Sequence, residues 1–303
     1  MSELINCINN LSAKEIIKSI AKTANGVLFY LQTTGLGGFL CAEYGTVYEA
    51  FTTKPDATRS TIYDTMVCAL VASGHWARID SFYFHAAHTS ANSEALINWK
   101  NPGTYDATLK DALGGVAFPI FTIDQGFLGN GTANYIDYNW IPSVHGSNFT
   151  RNSASQILYI RTNVSSASGR HGIDGSADLA DCAMQNRNGV NAFIQTNDNS
   201  NEAGGVSSQG AGLWINTRTA ASGAGAKRLY QNKVAKINGI VASTGNPTNK
   251  FFSLAANNDG VPQAYKADQV AVAAYADGFA QADVDTVSDI INAAMTSLGT
   301  NVY

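Results

Sequence analysis

The feature that most constrains this chain is a run of short apolar stretches from about residue 116 to 275, each bounded by turn residues. Candidate strands follow at Val116–Phe121, Gly126–Leu128, Tyr135–Asp137, Ser155–Arg161, Leu179–Gln185, Ala192–Gln195, Gly212–Arg218, Lys227–Gln231, Val234–Ile240, Phe251–Ala255 and Val270–Tyr275. Gly129-Asn130-Gly131, Ser168–Gly172, Asn197–Gly205, Ala220–Gly225 and Asn257–Gly260 separate them with residues that reverse a chain cheaply. Many strands at short spacing with no helix between them mean a sandwich or jelly roll. In Gly212–Arg218, Leu213, Ile215 and Thr217 point one way and Trp214, Asn216 and Arg218 the other, so one of those sets must be core.

Helical signals lie on either side of this run. Ile62, Met66, Val67, Leu70 and Val71 share a face after Asp56, which predicts a helix over Ala57–Ser73 capped near Gly74. Arg78–Ala86 alternates and reads as a strand. At the other end, Val284, Val287, Ile291, Ala294, Met295 and Leu298 recur at helical spacing over Ala282–Leu298, with Asp283 and Asp285 in the first turn. Between the two regions runs Ala95–Thr108, where Trp99 precedes an Asn-Pro-Gly turn. Trp76 and Trp99 flank this seam and are expected to pin the helical prefix to the sandwich, with Trp214 a further anchor in the core.

The first fifty residues are harder to read. Ser12-Ala13-Lys14-Glu15 is a capping box that predicts a helix to about Lys22, and Leu4, Ile8 and Leu11 extend its apolar spacing into a stripe that suits a homo-oligomer, a trimer being one solution. Packing of that helix on its own chain explains the stripe equally well. Val27–Leu31 and Phe39–Thr53 read as short strands or an extended arm broken by Gly35, Gly37 and Gly38.

Composition excludes several functions. The 303 residues carry only 14% charged side chains and a net charge of -4, so nothing marks a nucleic-acid or anionic-membrane surface. No basic, apolar leader opens the chain, and no stretch approaches the roughly 20 apolar residues that span a bilayer. Synthesis in a cytoplasm is expected. Cys7, Cys41, Cys68 and Cys182 lack metal-ligand spacing and read as reduced, mostly buried thiols.

The succession TKPDATRSTIYDTMVCALVASGHWARIDSFYFHAAH, ALINWKNPGTYDAT, GFLGNGTANYIDYNWIPS, SQILYIRTN, GLWINTRTA and VAVAAYADGFAQADVDTVSDIINAAMTSLGTNV resembles bacteriophage virion-associated proteins with a concanavalin A-like, laminin-G-like domain. The resemblance runs from about Phe51 to Tyr303. It implies a mainly β jelly-roll sandwich over 111–281, a helical prefix over 51–110, a C-terminal helix over 282–298 laid on the sandwich, and an attachment or oligomerisation segment over 1–50. It further implies a fibre, spike or decoration subunit located in the virion, with other virion proteins and host or mucosal glycans as partners. A spacer that only assembles the particle is the alternative.

Candidate chemistry is sparse. Glu94 and Glu202 are the only glutamates beyond residue 50 and lack the paired spacing of a retaining glycosidase, which leads to the expectation of a non-enzyme without catalytic residues. Asp174, Asp178 and Asp181 read as solvated turn residues rather than an acid pair. Tyr138 and Trp140, with His145 and Asn148 in the next loop, are the candidate sugar platform, although Ile136 shares their parity and a core role suits the same pattern. Asp198, Asn258 and Asp259, within Asn197-Asp198-Asn199 and Asn257-Asn258-Asp259, are candidate Ca²⁺ ligands in stretches that equally describe exposed turns; no other cofactor is expected.

Overall fold

In a computed structural model, residues 38–175, 180–205 and 209–303 are described, and Cys41–Tyr303 forms one compact unit. The protein is mainly β, as expected. An eight-stranded sheet and a six-stranded sheet carry the fold, with a three-stranded sheet beside them. Their shared core brings Leu158, Trp214, Ala273 and Tyr275 from the larger sheet together with Ile173, Cys182, Met184 and Ile194 from the smaller one.

At the centre of the larger sheet lies Gln269–Ala276, all eight of its residues buried. It pairs antiparallel with Ala154–Ile160 on one side. On its other side it pairs with Ile79–Phe84, 190 residues earlier in the chain, and with Gly126–Leu128. Gly212–Arg218 then pairs with Ala154–Ile160 through seven consecutive residues. Its Trp214, Asn216 and Arg218 face the smaller sheet, but Leu213, Ile215 and Thr217 are buried as well, because helices cover the opposite face.

Two helices make that cover. The first, Ala57–Ala72, begins where the sequence places it, with Asp56 Oδ1 accepting from the Arg59 amide at 2.8 Å. The second, Gln281–Ser297, buries Val284, Val287, Ile291 and Met295 against the first helix and the Gly212–Arg218 strand. Asp283 reaches back to the Ala280 amide at 2.9 Å and also accepts from Arg78 Nη1 at 2.6 Å, so one carboxylate caps the helix and ties it to the prefix. No described helix is long and apolar enough to cross a membrane.

The seam residues behave as anchors. Trp99 is 1% exposed and its ring meets Phe51, Tyr63, Phe82 and Phe84. Trp76 packs against Phe82, and Trp214 is wholly buried.

Three expectations are corrected. Phe39–Thr53 is not extended: Ala42–Ala50 is a helix, because Tyr44 and Val47 are buried and the Tyr44 hydroxyl reaches Ser60 Oγ at 3.2 Å. The cysteines are not all thiols: Cys41 and Cys68, with Cα atoms 5.5 Å apart, form a disulfide, whereas Cys182 is a buried free thiol. Val116–Phe121 is a strand only at Ile120–Thr122, at the edge of the larger sheet, and Leu113 and Val116 are exposed in the loop before it. The helix expected up to Lys22, the Leu4–Ile8–Leu11 stripe, Val27–Leu31 and Cys7 lie outside the described residues.

Truncating Trp99 to alanine removes a ring around which four others pack, and is expected to cost about 3–5 kcal/mol in denaturant unfolding. A 110–303 fragment lacks Ile79–Phe84 and leaves Val272–Ala276 unpaired on the side where Gly126–Leu128 covers only Gln269 and Val270. It is expected to aggregate on expression, which a sedimentation measurement checks.

Candidate functional site

The residues first considered for sugar binding do not form a site. Tyr138 and Trp140 are 0% and 1% exposed: Trp140 stacks on Tyr275 with ring centroids 5.4 Å apart and meets Phe149 and Phe251. They are core because Ile136, Tyr138 and Trp140, alternate residues running on from the strand Asn134–Asp137, all join the shared hydrophobic core. Tyr138 contacts His85, whose Nε2 is 3.1 Å from its hydroxyl and whose Nδ1 is 2.7 Å from the Ala95 carbonyl oxygen. His145 stacks on Tyr105 at 4.1 Å and its Nδ1 accepts from the Ile141 amide, which closes the Pro142–His145 turn. Asn148 donates through its side chain to Asp80 Oδ1 and the Ala77 carbonyl, and the amides of Ser147, Asn148 and Phe149 converge on the same Asp80 carboxylate. That loop is pinned by Asp80, and its polar groups are spent on holding it.

The candidate metal ligands are likewise engaged. Asp198 is fully buried, its carboxylate 2.9 Å from Lys227 Nζ and 2.8 Å from Arg218 Nη2. Two buried cations stand where a calcium ion would be, which corrects that assignment. Glu202 approaches the same lysine at 3.0 Å, and Arg218 also donates to the carbonyls of Thr196, Ala220, Ala221 and Val241. Asn258 is half-buried in the strand Ala256–Asn258, and Asp259 is exposed in the following turn, where Asn249 Nδ2 donates to it. Glu94 is buried too, accepting from the Thr53 amide at 3.0 Å and the Asn92 amide at 2.8 Å.

The structure assembles a different cluster, on the outer face of the six-stranded sheet. His171, Ile173, Cys182, Met184, Ile194 and Thr196 turn inward, so alternation sends Gly172, Ala183, Gln185, Phe193 and Gln195 outward. Ala256, Gly172 and Ala183 are neighbours across three strands and make a floor of small side chains. Over that floor Arg170 Nη1 reaches Asp174 Oδ2 at 2.6 Å and Gln195 Oε1 at 3.3 Å. Gln195 Nε2 continues to Asp181 Oδ2 at 3.2 Å, and Asp181 Oδ1 accepts from the Gly175 amide at 2.7 Å. The Arg170 and Asp174 side chains are about one-fifth exposed (19% and 21%), and Phe193 lies half-buried on the same face. The Arg170 guanidinium and the Asp174 carboxylate thus reach solvent on the face that carries Phe193, while Gln195 and Asp181, which continue the hydrogen-bonded chain, are buried.

Sequence reasoning missed this cluster because Ser168–Gly172 reads as a turn and Asp174 and Asp181 as solvated. His171–Ile173 is in fact a strand, and its pairing with Cys182–Asn188 sets the two aspartates at facing strand ends. The alternation of Cys182, Met184, Ile194 and Thr196 was the available signal. Asp178 lies outside the described residues.

No protein-family model and no curated protein matches the chain. Among solved structures, it is similar to a mutant of Trypanosoma rangeli sialidase displaying trans-sialidase activity, with TM-score 0.48 and 10% identity over 77% of this chain and 38% of that one. It is also similar to domain 4 of AbnA, a GH43 extracellular arabinanase from Geobacillus stearothermophilus in complex with arabinotriose, with TM-score 0.44 and 14% identity over 70% of this chain and 98% of that domain. The chain spans about a third (34%) of the wild-type sialidase. Likeness at these identities and TM-scores assigns no activity to the chain in either direction, and the expectation of a non-enzyme is not kept.

The buried groups give the fold a pH dependence. Burial pushes the His85 imidazole from its ordinary 6.5 down to about 4, and burial lowers His171 as well. The unfolded chain takes up these protons as pH falls below 6.5 while the native state refuses them, so stability drops on acidification towards pH 4. His85 alone accounts for about 3 kcal/mol of that loss. For Glu94, burial acts upward but the amide donors outweigh it and hold the carboxyl at about 2, so its contribution, present above 4.5, is lost only between pH 4.5 and 2. Urea unfolding from pH 7 to 3 is expected to show both windows. His85→Gln should flatten the upper one and leave the lower.

Proposed function

We propose that the chain is a bacteriophage virion protein, a fibre, spike or decoration subunit, whose jelly-roll sandwich binds glycans on the outer face of its six-stranded sheet. The virion assignment rests on the sequence resemblance over Phe51–Tyr303. The binding assignment rests on one observation: Arg170, Asp174, Gln195 and Asp181 form a partly exposed hydrogen-bonded chain beside Phe193. Sugars are held by fixed donors and acceptors that match vicinal hydroxyls and by an apolar ring against which C–H faces pack. Here the donors are fixed before any ligand arrives, so little ordering entropy is lost on binding.

The test is a glycan array probed with the full chain in its native oligomer, with arabinotriose and sialylated glycans as named probes and intact host cells alongside. Binding is expected to weaken at least tenfold in Arg170→Ala and Asp174→Ala, whereas a substitution at Val234, exposed on the edge strand of the larger sheet, should leave it unchanged. No binding to array or cells at high protein concentration overturns the proposal, and binding indifferent to both variants removes the site from this face. Reducing-sugar release is read in the same samples: turnover abolished by Asp174→Ala and Asp181→Asn would place catalysis on this patch. The position of the chain in a reconstruction of its particle tests the virion assignment, an outward-facing sandwich being the expected result.

A further inference from the structure

Between the two sheets, a lysine amine is pressed against a carboxyl group with a second carboxylate beside it. The side chains of Asp198, Lys227 and Arg218 are closed to solvent. Lys227 Nζ stands 2.9 Å from both Asp198 oxygens, which centres it on the carboxylate carbon rather than on one oxygen. Oδ2 also accepts from Arg218 Nη2 at 2.8 Å and from the Thr196 amide at 3.3 Å. Oδ1 accepts from the Ser200 amide at 3.0 Å. Glu202 Oε2 lies 3.0 Å from the same Nζ, and its side chain is 19% exposed, so it is the member of the group that reaches solvent. Burial acts upward on the Glu202 carboxyl, but the Ile240 amide and Lys227 outweigh it and hold it below its ordinary value, ready to take a proton. The group spans the interface. Lys227 opens the strand Lys227–Gln231 of the larger sheet, whereas Asp198 follows Asn191–Thr196 and Glu202 opens Glu202–Gly205, both strands of the smaller one.

We propose that Lys227 and Asp198 condense into an isopeptide bond that joins the two sheets, with Glu202 and Arg218 as its catalytic residues. Lys227 Nζ first gives a proton to Asp198 Oδ1, which leaves an amine facing a carboxylic acid. The amine lone pair attacks Cγ, and the charge that develops on Oδ2 meets the Arg218 guanidinium and the Thr196 amide. Glu202 takes a second proton from the nitrogen and passes it to Oδ1. The Cγ–Oδ1 bond then breaks with its electron pair on oxygen, and one water departs past the partly exposed Glu202. The nitrogen keeps its third proton as the amide N–H, and Glu202 ends as it began. Two physical terms favour the bond. The fold holds nucleophile and carboxyl group in contact, so no bimolecular encounter is needed. Condensation also turns a buried ammonium and a buried carboxylate into one neutral amide, removing two charges whose desolvation is costly. Arg218 is not stranded by the change, since it keeps the carbonyls of Thr196, Ala220, Ala221 and Val241 as partners.

The experiment is mass spectrometry of the full chain, reduced and denatured so that the Cys41–Cys68 disulfide does not contribute. The mass is expected to fall short of the sequence by one water, and proteolysis should yield one branched peptide joining the segments that hold Asp198 and Lys227. Lys227→Met should restore the water. Glu202→Gln, which keeps the shape of the side chain, should cut the linked fraction at least tenfold in chains whose circular dichroism matches the parent. A parent mass with no missing water overturns the proposal. So does a missing water traced to the aspartyl–glycine pairs Asp174-Gly175 or Asp259-Gly260, where a succinimide forms by the same loss. Linkage undiminished in Glu202→Gln overturns the role given to that carboxylate. Since none of these residues belongs to the Arg170–Asp174 patch, the outcome is independent of glycan binding.

Discussion

The fold depends on the pairing of Gln269–Ala276 with strands drawn from both halves of the chain. Every residue of this strand is buried, so each backbone amide and carbonyl must find a partner in protein, and no local turn supplies one. Ala154–Ile160 satisfies one side; Ile79–Phe84 and Gly126–Leu128 share the other. The helical prefix is therefore part of the sheet rather than an appendage to it. The seam at Ala95–Thr108 follows from this. Asn98 bridges Tyr83, and the Trp99 amide donates to the Phe82 carbonyl at 2.7 Å, so the turn that looks like a linker is stitched to the strand it leaves.

A second constraint comes from the polar groups between the two sheets. Asp198, Arg218 and Lys227 are fully buried at one end of the interface. His171, Asp268 and Lys266 are fully buried at the other, with His171 Nδ1 accepting from the Leu254 amide and Nε2 3.1 Å from Asp268. Such pairs offset desolvation more than they add stability, but removing one partner strands a charge in a low-dielectric interior. They tie specific loops to specific strands: Lys227 to the 198–202 turn, and Asp268 to the start of His171–Ile173. The outer face of the six-stranded sheet is positioned by these inward contacts, because the same strands carry Arg170, Asp174 and Gln195 on their other side.

Much of this architecture was legible in the residues. The Ala57–Ala72 helix, its Asp56 cap, the Gly212–Arg218 and Lys227–Gln231 strands and the C-terminal helix all follow local periodicity, and the structure reproduces them within a residue or two. The short strands His171–Ile173, Glu202–Gly205 and Val261–Gln263 were not legible, since three or four residues beside glycine carry too little periodicity to distinguish strand from turn. The candidate site fared worse than the fold. Tyr138 and Trp140 satisfy the pattern of a sugar platform, but an aromatic residue looks the same in sequence whether it faces solvent or a packed interior. The Arg170 cluster joins three strands whose order in the sheet no local pattern states.

What the sequence by itself determined is therefore what local chemistry controls: a mainly β chain with two amphipathic helices, tryptophans at the seam and turns rich in glycine and asparagine. Tertiary structure decided the rest. Whether Cys41 meets Cys68, whether Asp198 receives a lysine and an arginine, and whether Asp174 lies opposite Asp181 depend on contacts between residues tens of positions apart. Those contacts are set by which strand lies beside which. That order is fixed by burial of the whole core at once, and no single stretch of residues contains it.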